Sequence, residues 1–355
     1  MRRILQLWCI LAIAAACNPA SYFDKKRSQD NPPVEEPEKP ASTTFAKGAD
    51  LGWITEMESH GLLFYNTSGK AMECTALFKE LGFNAVRYRV WVNPTDGWCG
   101  REDVLTKCRR AKNLGMDIMI DFHYSDWWAD PGKQNVPAAW KSLDPDGMAK
   151  AVADHTRDVL NYLKNNGIAV KWVQVGNEVE NGMLWESGRV AGSKADIFTK
   201  YFNSGAAAVK EIYPSAAVIL HISNAGNLDT LTWFYDLVGT SGAKYDIIGL
   251  SLYPSYWQNG SYPDWKPTTS AAVSNFKVLH DRYSKPVMLV EFGMPASEPE
   301  KGRDALRYLL DGTKSWEWFQ GIFFWEPESE RSRNGYDYGA FADGKPTIAL
   351  EPFNT

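Results

Sequence analysis

The chain has 355 residues, 44% hydrophobic and 23% charged, with 38 Lys and Arg against 43 Asp and Glu. That length buries a sizeable core without disulfide staples, the composition is that of a folded protein, and a net charge of −5 leaves no basic footprint for nucleic acid. The 15 Trp, 16 Tyr and 16 Phe need an account, because indole is costly to expose unless it holds something flat.

Arg2 and Arg3 precede an apolar run from Ile4 to Ala16. A bilayer span takes about 20 residues, so this shorter run reads as a secretory signal. Ala14-Ala15-Ala16-Cys17 resembles a bacterial lipoprotein box, with Ala14 where Leu is preferred. Cys17 is the expected lipidation residue, although small residues before the cut also suit an ordinary cleaved signal. Residues 17–43 are polar, carry both charge signs and hold Pro19, Pro32, Pro33, Pro37 and Pro40. They predict a disordered tether. The expectation is an exported lipoprotein of the bacterial outer membrane or cell surface, touching the membrane only through its lipid. Of the remaining cysteines, Cys99 and Cys108 flank a short polar segment and could pair after export. Cys74 falls in a helical pattern and reads as a buried free thiol. There is no CxxC or Cys/His metal spacing.

From residue 44 short β-rich runs alternate with amphipathic helical segments. The runs are Phe45–Gly52, Asn84–Val92, Asp117–His123, Lys171–Gly176, Ala217–His221, Ile247–Leu252, Pro286–Val290 and Gly321–Trp325. Helical spacing predicts a helix over 71–81, stopped by Gly82, and another over 147–164, stopped by Gly167. Eight strands about 39 residues apart suit an α/β fold, a single-domain (β/α)8 TIM barrel over 44–355. A doubly wound sheet is the rival, but no GxGxxG follows the first strand.

In such a barrel the chemistry sits at the C-terminal strand ends. There the sequence places Arg87, Arg89 and Trp91, then His123, Asp126 and Trp128, then Asn177 and Glu178. His221, Tyr253, Trp257, Glu291 and Trp325 follow on later strands. Glu178 and Glu291 each end an apolar run. One such Glu alone is usually a surface or salt-bridge residue, but a pair at strand ends suits retaining glycoside hydrolysis, which needs one protonated and one ionised carboxyl.

The stretches RYRVWVNP (87–94), DFHYSDWWADPGKQ (121–134), QVGNEVENGMLW (174–185) and IIGLSLYP (247–254) resemble the endo-β-1,4-galactanases of glycoside hydrolase family 53. The resemblance runs from Lys47 to about Phe353. It implies a retaining arabinogalactan endo-β-1,4-galactanase without a cofactor, with Glu178 as acid/base and Glu291 as nucleophile. It implies that Asn177 bonds the sugar 2-hydroxyl and that an arginine keeps Glu291 ionised, with Arg89 preferred over Arg87. His123 and His221 would orient carboxylates or bind hydroxyls. Trp91, Trp128, Tyr253, Trp257 and Trp325 would be stacking platforms, and Asp50 and Asp126 hydroxyl binders, Asp126 equally a loop cap. Glu180, Glu186, Glu326 and Glu328 are the acids most easily confused with the pair. Trp172, Trp233, Trp316 and Trp318 read as core, and His60, His155 and His280 as ordinary surface or helix residues.

The chain departs from the family where Phe292-Gly293 follows Glu291 in place of Thr, and where Ala296–Arg303 lacks the Asp-rich run of a calcium loop. No metal is expected there. The expected partner is a galactan polysaccharide or its oligosaccharides, bound by a monomer. The alternatives are a related barrel hydrolase acting on β-mannan or β-glucan, and a non-catalytic glycan-binding surface lipoprotein.

Overall fold

The computed structural model describes residues 44–354. The expected signal peptide, lipidation residue Cys17 and tether lie outside the described residues. All eight expected strands form: β1 (Ala46–Asp50), β2 (Ala85–Val90), β3 (Asp117–Phe122), β4 (Trp172–Val175), β5 (Ala217–Ile222), β6 (Ile247–Leu252), β7 (Val287–Phe292) and β8 (Phe319–Trp325). They pair in parallel, in chain order, and β8 closes on β1. Strands covered on both faces read as continuous apolar runs, and every residue of β2, β6 and β7 is buried.

Side chains alternate along a strand, so each strand sends every second residue into the barrel. A lower interior layer is apolar and includes Ala85, Met119, Trp172, Ile219 and Phe323. Two residues further along the same strands stand Arg87, Asp121, Gln174 and His221, all fully buried. The fold thus changes from an apolar plug to a polar layer within one pleat. On β7 the alternation breaks. Met288 and Val290 belong to the apolar layer, and the next residue, Glu291, pairs with Ser251 across a register shift after Leu250. Such an irregularity re-aims a side chain, and here it turns Glu291 toward the polar layer.

Seven crossover helices surround the barrel: α1 (Cys74–Glu80), α2 (Arg101–Asn113), α3 (Pro145–Asn165), α4 (Asp196–Ile212), α5 (Leu228–Thr240), α6 (Trp265–Tyr283) and α7 (Pro299–Thr313). Helix α1 starts later than its periodicity predicts, because Ala71–Met72 pairs with Phe64–Tyr65 in a hairpin. Glu73 then caps it, accepting from the Thr75 and Ala76 amides. Asp144 caps α3 ahead of Pro145. In place of an eighth helix, a 3-10 segment over Ile348–Asn354 packs on α7. Among the described residues no helix is long and apolar enough to cross a membrane.

Some sequence expectations change here. Cys99 and Cys108 are buried free thiols, like Cys74, with the Cys99 sulfur 3.9 Å from the Gly52 carbonyl oxygen. Trp172 is core, but Trp233 is exposed on α5, and Trp316 and Trp318 are half-buried and stack on each other. His280 stacks on Trp318, and His155 is half-buried against Phe122 and Trp140.

Candidate active site

A pocket of about 420 Å3 opens at the C-terminal mouth of the barrel. Glu178 and Glu291 both line it, with Asn177, His123, Tyr253 and Trp325. Glu291 takes its position from β7 and from two donors. Arg87 Nη2 lies 2.9 Å from Oε1, and the Tyr253 hydroxyl donates to Oε2 at 3.0 Å. Burial pushes the Glu291 carboxyl up, while Arg87 and the Tyr253 hydrogen bond hold it back. Gly293 makes room for that phenol, because a Cβ there would stand 2.5 Å from a Tyr253 ring carbon.

The arginine at Glu291 is therefore Arg87. The expectation favoured Arg89, which lies nearer the strand end. Both point inward, as two residues on one strand face must. Arg87 lies at the depth of the polar layer and is its hub. It pairs with Asp50 and with Asp121 at 2.9 Å, and bonds Gln174 and the Asn177 Oδ1, each at 2.9 Å. Arg89 instead pairs with Glu326 and lies 4.3 Å from the Trp128 ring centroid and 5.0 Å from that of Trp53. Glu326 also accepts from the Gly52 amide at 2.9 Å and the Trp53 amide at 3.2 Å, so it ties the β1 and β8 loops together. A Cβ at Gly52 would stand 2.0 Å from Arg89 Nη1, so a larger residue there would displace Arg89 from Glu326.

Glu178 sits one turn past β4, after Gly176 (φ 89°) and Asn177, with its own φ at 47°. A left-handed conformation costs a non-glycine residue about 1–2 kcal/mol. Strain of that kind gathers at functional sites. The turn is held from several sides. Gln134 Nε2 donates to the Asn177 carbonyl at 2.9 Å, and Asn177 Nδ2 donates to the Ala129 carbonyl at 2.8 Å. One Asn177 amide hydrogen remains for a ligand.

His221 lies beneath Glu178. Its Nδ1 accepts from Gln174 Nε2 at 2.7 Å and from the Glu178 amide at 3.3 Å. Burial and nearby Arg87 push its pKa well below the usual range, so the ring is neutral. Its proton is then on Nε2 and is donated to Ser251 Oγ at 2.7 Å, which turns the Ser251 hydroxyl toward the Glu178 carboxyl. Burial, the Glu291 charge and Glu180 push Glu178 well above the usual carboxylate range. Arg87 touches Glu291 but not Glu178, so of the two carboxyls Glu178 keeps the proton.

Several expected contacts with ligand are not available. Asp50 is completely buried and paired with Arg87. Trp91 is 2% exposed and does not line the pocket, because the β3 loop folds over it and places Trp127 against it. Asp126 spends its carboxylate on the Asn93 and Ala138 amides, at 3.1 and 2.7 Å. Trp257 is exposed beyond the pocket, packed on Tyr262. His123 reaches the pocket, but bonds Asp121 through Nε2 and the Ala129 amide through Nδ1, each at 3.0 Å. Among the confusable acids, Glu180 caps Ser223, Glu186 pairs with Arg189, and Glu328 is buried beside Glu326.

The aromatic wall contains Trp53, which the sequence places just past a strand end without assigning it as a platform, and Tyr256 and Tyr336, which the sequence did not single out. Trp325 packs edge-on against Trp53 at 5.2 Å and Tyr336 at 4.7 Å, and Trp128 lies 5.9 Å away. Tyr256 joins from the β6 loop and stacks on Tyr338 at 5.1 Å. These residues come from loops without periodicity. The signal for Trp53 was its place three residues after Asp50, just past β1. Among the described residues no group of three or more His, Cys, Asp or Glu could hold a metal ion.

The model of Glycosyl hydrolase family 53 matches residues 46–315. The chain belongs to glycosyl hydrolase family 53. It is 37% identical to an uncharacterized protein of Niallia circulans encoded 5′ of bgaB, over 71% of this chain and 68% of that one. It is 31% identical to arabinogalactan endo-β-1,4-galactanase A of Emericella nidulans, over 81% of this chain and 85% of that one. Among solved structures, a fungal β-1,4-galactanase superposes with a TM-score of 0.79 at 29% identity, covering 88% of this chain and 99% of the other. This family 53 chain thus combines a closed barrel with two pocket carboxyls set in unlike surroundings.

Proposed function

We propose that the protein is an endo-acting, retaining β-1,4-galactanase that cuts galactan and type I arabinogalactan, with Glu178 as acid/base and Glu291 as nucleophile. The observation that carries the roles is the asymmetry of the pair. Glu291 receives Arg87 and Tyr253, whereas Glu178 receives only neutral donors and is pushed up by burial and by the charge of Glu291. The named galactanases among the relatives support galactan over mannan or glucan as the substrate.

The chemistry runs in two displacements. Glu291 attacks the anomeric carbon, the bond to the leaving oxygen breaks, and the Glu178 proton passes to that oxygen. In the second step Glu178 takes a proton from water, the water oxygen attacks the same carbon, and Glu291 leaves with its charge. Two inversions retain the configuration. The free Asn177 amide hydrogen suits the sugar 2-hydroxyl, and Trp325 and Trp128 offer apolar faces to the ring. Binding a neutral sugar does not call for a protonated carboxyl beside an ionised one, so the pair argues for turnover over capture.

The apolar run before Cys17 and the Pro-rich stretch after it support export and a lipid anchor. Purified Glu178→Gln and Glu291→Gln proteins should keep the far-ultraviolet spectrum and melting temperature of the wild type and lose at least a thousandfold of galactan hydrolysis. Full activity in either variant would sink the assignment. Labelled palmitate should enter the wild type and not Cys17→Ala; equal labelling would remove the anchor.

A further inference from the structure

The loop after β3 has two sides. One faces the catalytic pocket through Trp128, Ala129 and Lys133. The other borders a separate groove of about 820 Å3, whose opposite wall is Trp185, Glu186 and Ser187 from the loop after Glu178. Trp127 stands on the rim. It is 51% exposed, yet its ring is held against buried Trp91 at 4.5 Å. An indole that is both immobilised and open to water is a preformed platform, because little freedom is lost when a flat ligand lies on it.

The rest of the groove suits an uncharged polyol. Val136 and Met148 are apolar and Asn135 offers hydrogen bonds. Of its acids, Glu186 is paired with Arg189 and Asp126 is occupied by the Asn93 and Ala138 amides, and Lys141 adds one positive charge. The wall is also rigid. The Trp185 ring donates to the Asn181 carbonyl at 2.9 Å, with the Arg189 guanidinium 3.8 Å from its centroid and Glu186 holding that arginine. The Trp185 amide donates to the Gln134 carbonyl at 2.9 Å, and Gln134 is the residue that holds the Asn177–Glu178 turn. The two sites adjoin at one loop: Trp127 of the groove and Trp128 of the catalytic pocket are consecutive residues with ring centroids 6.4 Å apart.

We propose that this groove is an outer subsite, which binds galactosyl units of a chain whose scissile bond lies in the catalytic pocket, with Trp127 as its stacking platform. The proposal rests on the galactanase reading and extends it to long substrates.

The test compares wild type, Trp127→Ala and Trp127→Phe on long galactan and on an aryl β-1,4-galactobioside too short to reach the groove. The expected result is a fall of about five- to tenfold in kcat/KM on galactan for Trp127→Ala, carried by KM. The short substrate should be unaffected, and Trp127→Phe should recover most of the loss. Equal losses on both substrates would overturn the subsite, because the ring would then act only through the loop. No loss on either would mark a solvated surface and overturn it too. A wild type that cleaves neither substrate would bring down the galactanase reading and the subsite with it.

Discussion

Tyr253→Phe removes one oxygen and little else. The phenol donates to Glu291 Oε2 at 3.0 Å, and the ring keeps its place above Gly293. A hydrogen bond to a charged group contributes about 1.5–3 kcal/mol. That bond lowers the Glu291 pKa, so its loss should raise the pKa by about 1–2 units at 1.36 kcal/mol per unit. Glu291 must be ionised to attack. The acid limb of kcat/KM reports it in the free enzyme and should move up in pH by that amount, while the alkaline limb set by Glu178 stays. Below the wild-type acid limb the loss reaches about 10- to 100-fold; it falls to about twofold at the new limb and vanishes on the plateau. The assay is initial-rate hydrolysis of a soluble galacto-oligosaccharide across the pH range. A uniform loss at every pH, with the acid limb unmoved, would refute the reasoning. Tyr253 would then touch the sugar and not tune the nucleophile.

Ser251→Ala should act on the other limb. The Ser251 hydroxyl stabilises the charged form of Glu178, so its loss should raise the alkaline limb by about 1–2 pH units; an unmoved limb in the same profile would remove the His221–Ser251 relay. Gly293→Ala should shift the acid limb as Tyr253→Phe does, because the added methyl displaces the phenol; wild-type activity and limbs would contradict the close approach. Burial and its neighbour Glu326 raise Glu328 well above its usual range. A group with a raised folded pKa contributes stability below its unfolded pKa and loses it as pH rises through the folded one. Glu328→Gln should therefore flatten the fall of Tm that sets in as pH rises above the usual carboxylate range, and an unchanged slope would count against a buried protonated Glu328. A protein trimmed to residues 44–355 should show three thiols to Ellman's reagent when denatured without reductant, and none when native; one thiol on denaturation would mean that Cys99 and Cys108 pair.

The barrel was legible because parallel strands covered on both faces must be apolar throughout, and eight such runs ended in polar residues at regular intervals. Glu178 and Glu291 were legible for the same reason, each closing a run such as Val287–Val290. The choice between Arg87 and Arg89 was not. Two arginines on one strand face look equivalent in sequence, and only the depth of the polar layer decides which meets Glu291 and which meets Glu326. Nor was the β6–β7 register shift, without which Glu291 would follow Val290 to the opposite face. Trp91 read as a platform because strand-end position says nothing of what a later loop lays on top of it. Trp53, Tyr256 and Tyr336 reach the pocket from loops, where no period marks which ring turns inward. Asp50 read as a sugar ligand because its partner Arg87, 37 residues along the chain, meets it only once β1 and β2 pair.

The central claim is that Glu291 forms the bond to the sugar. Incubation with an activated 2-deoxy-2-fluoro galactobioside, followed by peptic digestion and mass spectrometry, tests it directly. The account predicts one added disaccharide per protein, on Glu291, and no adduct in Glu291→Gln. An adduct on Glu326 or any other carboxylate, or continued turnover with no adduct, would contradict it.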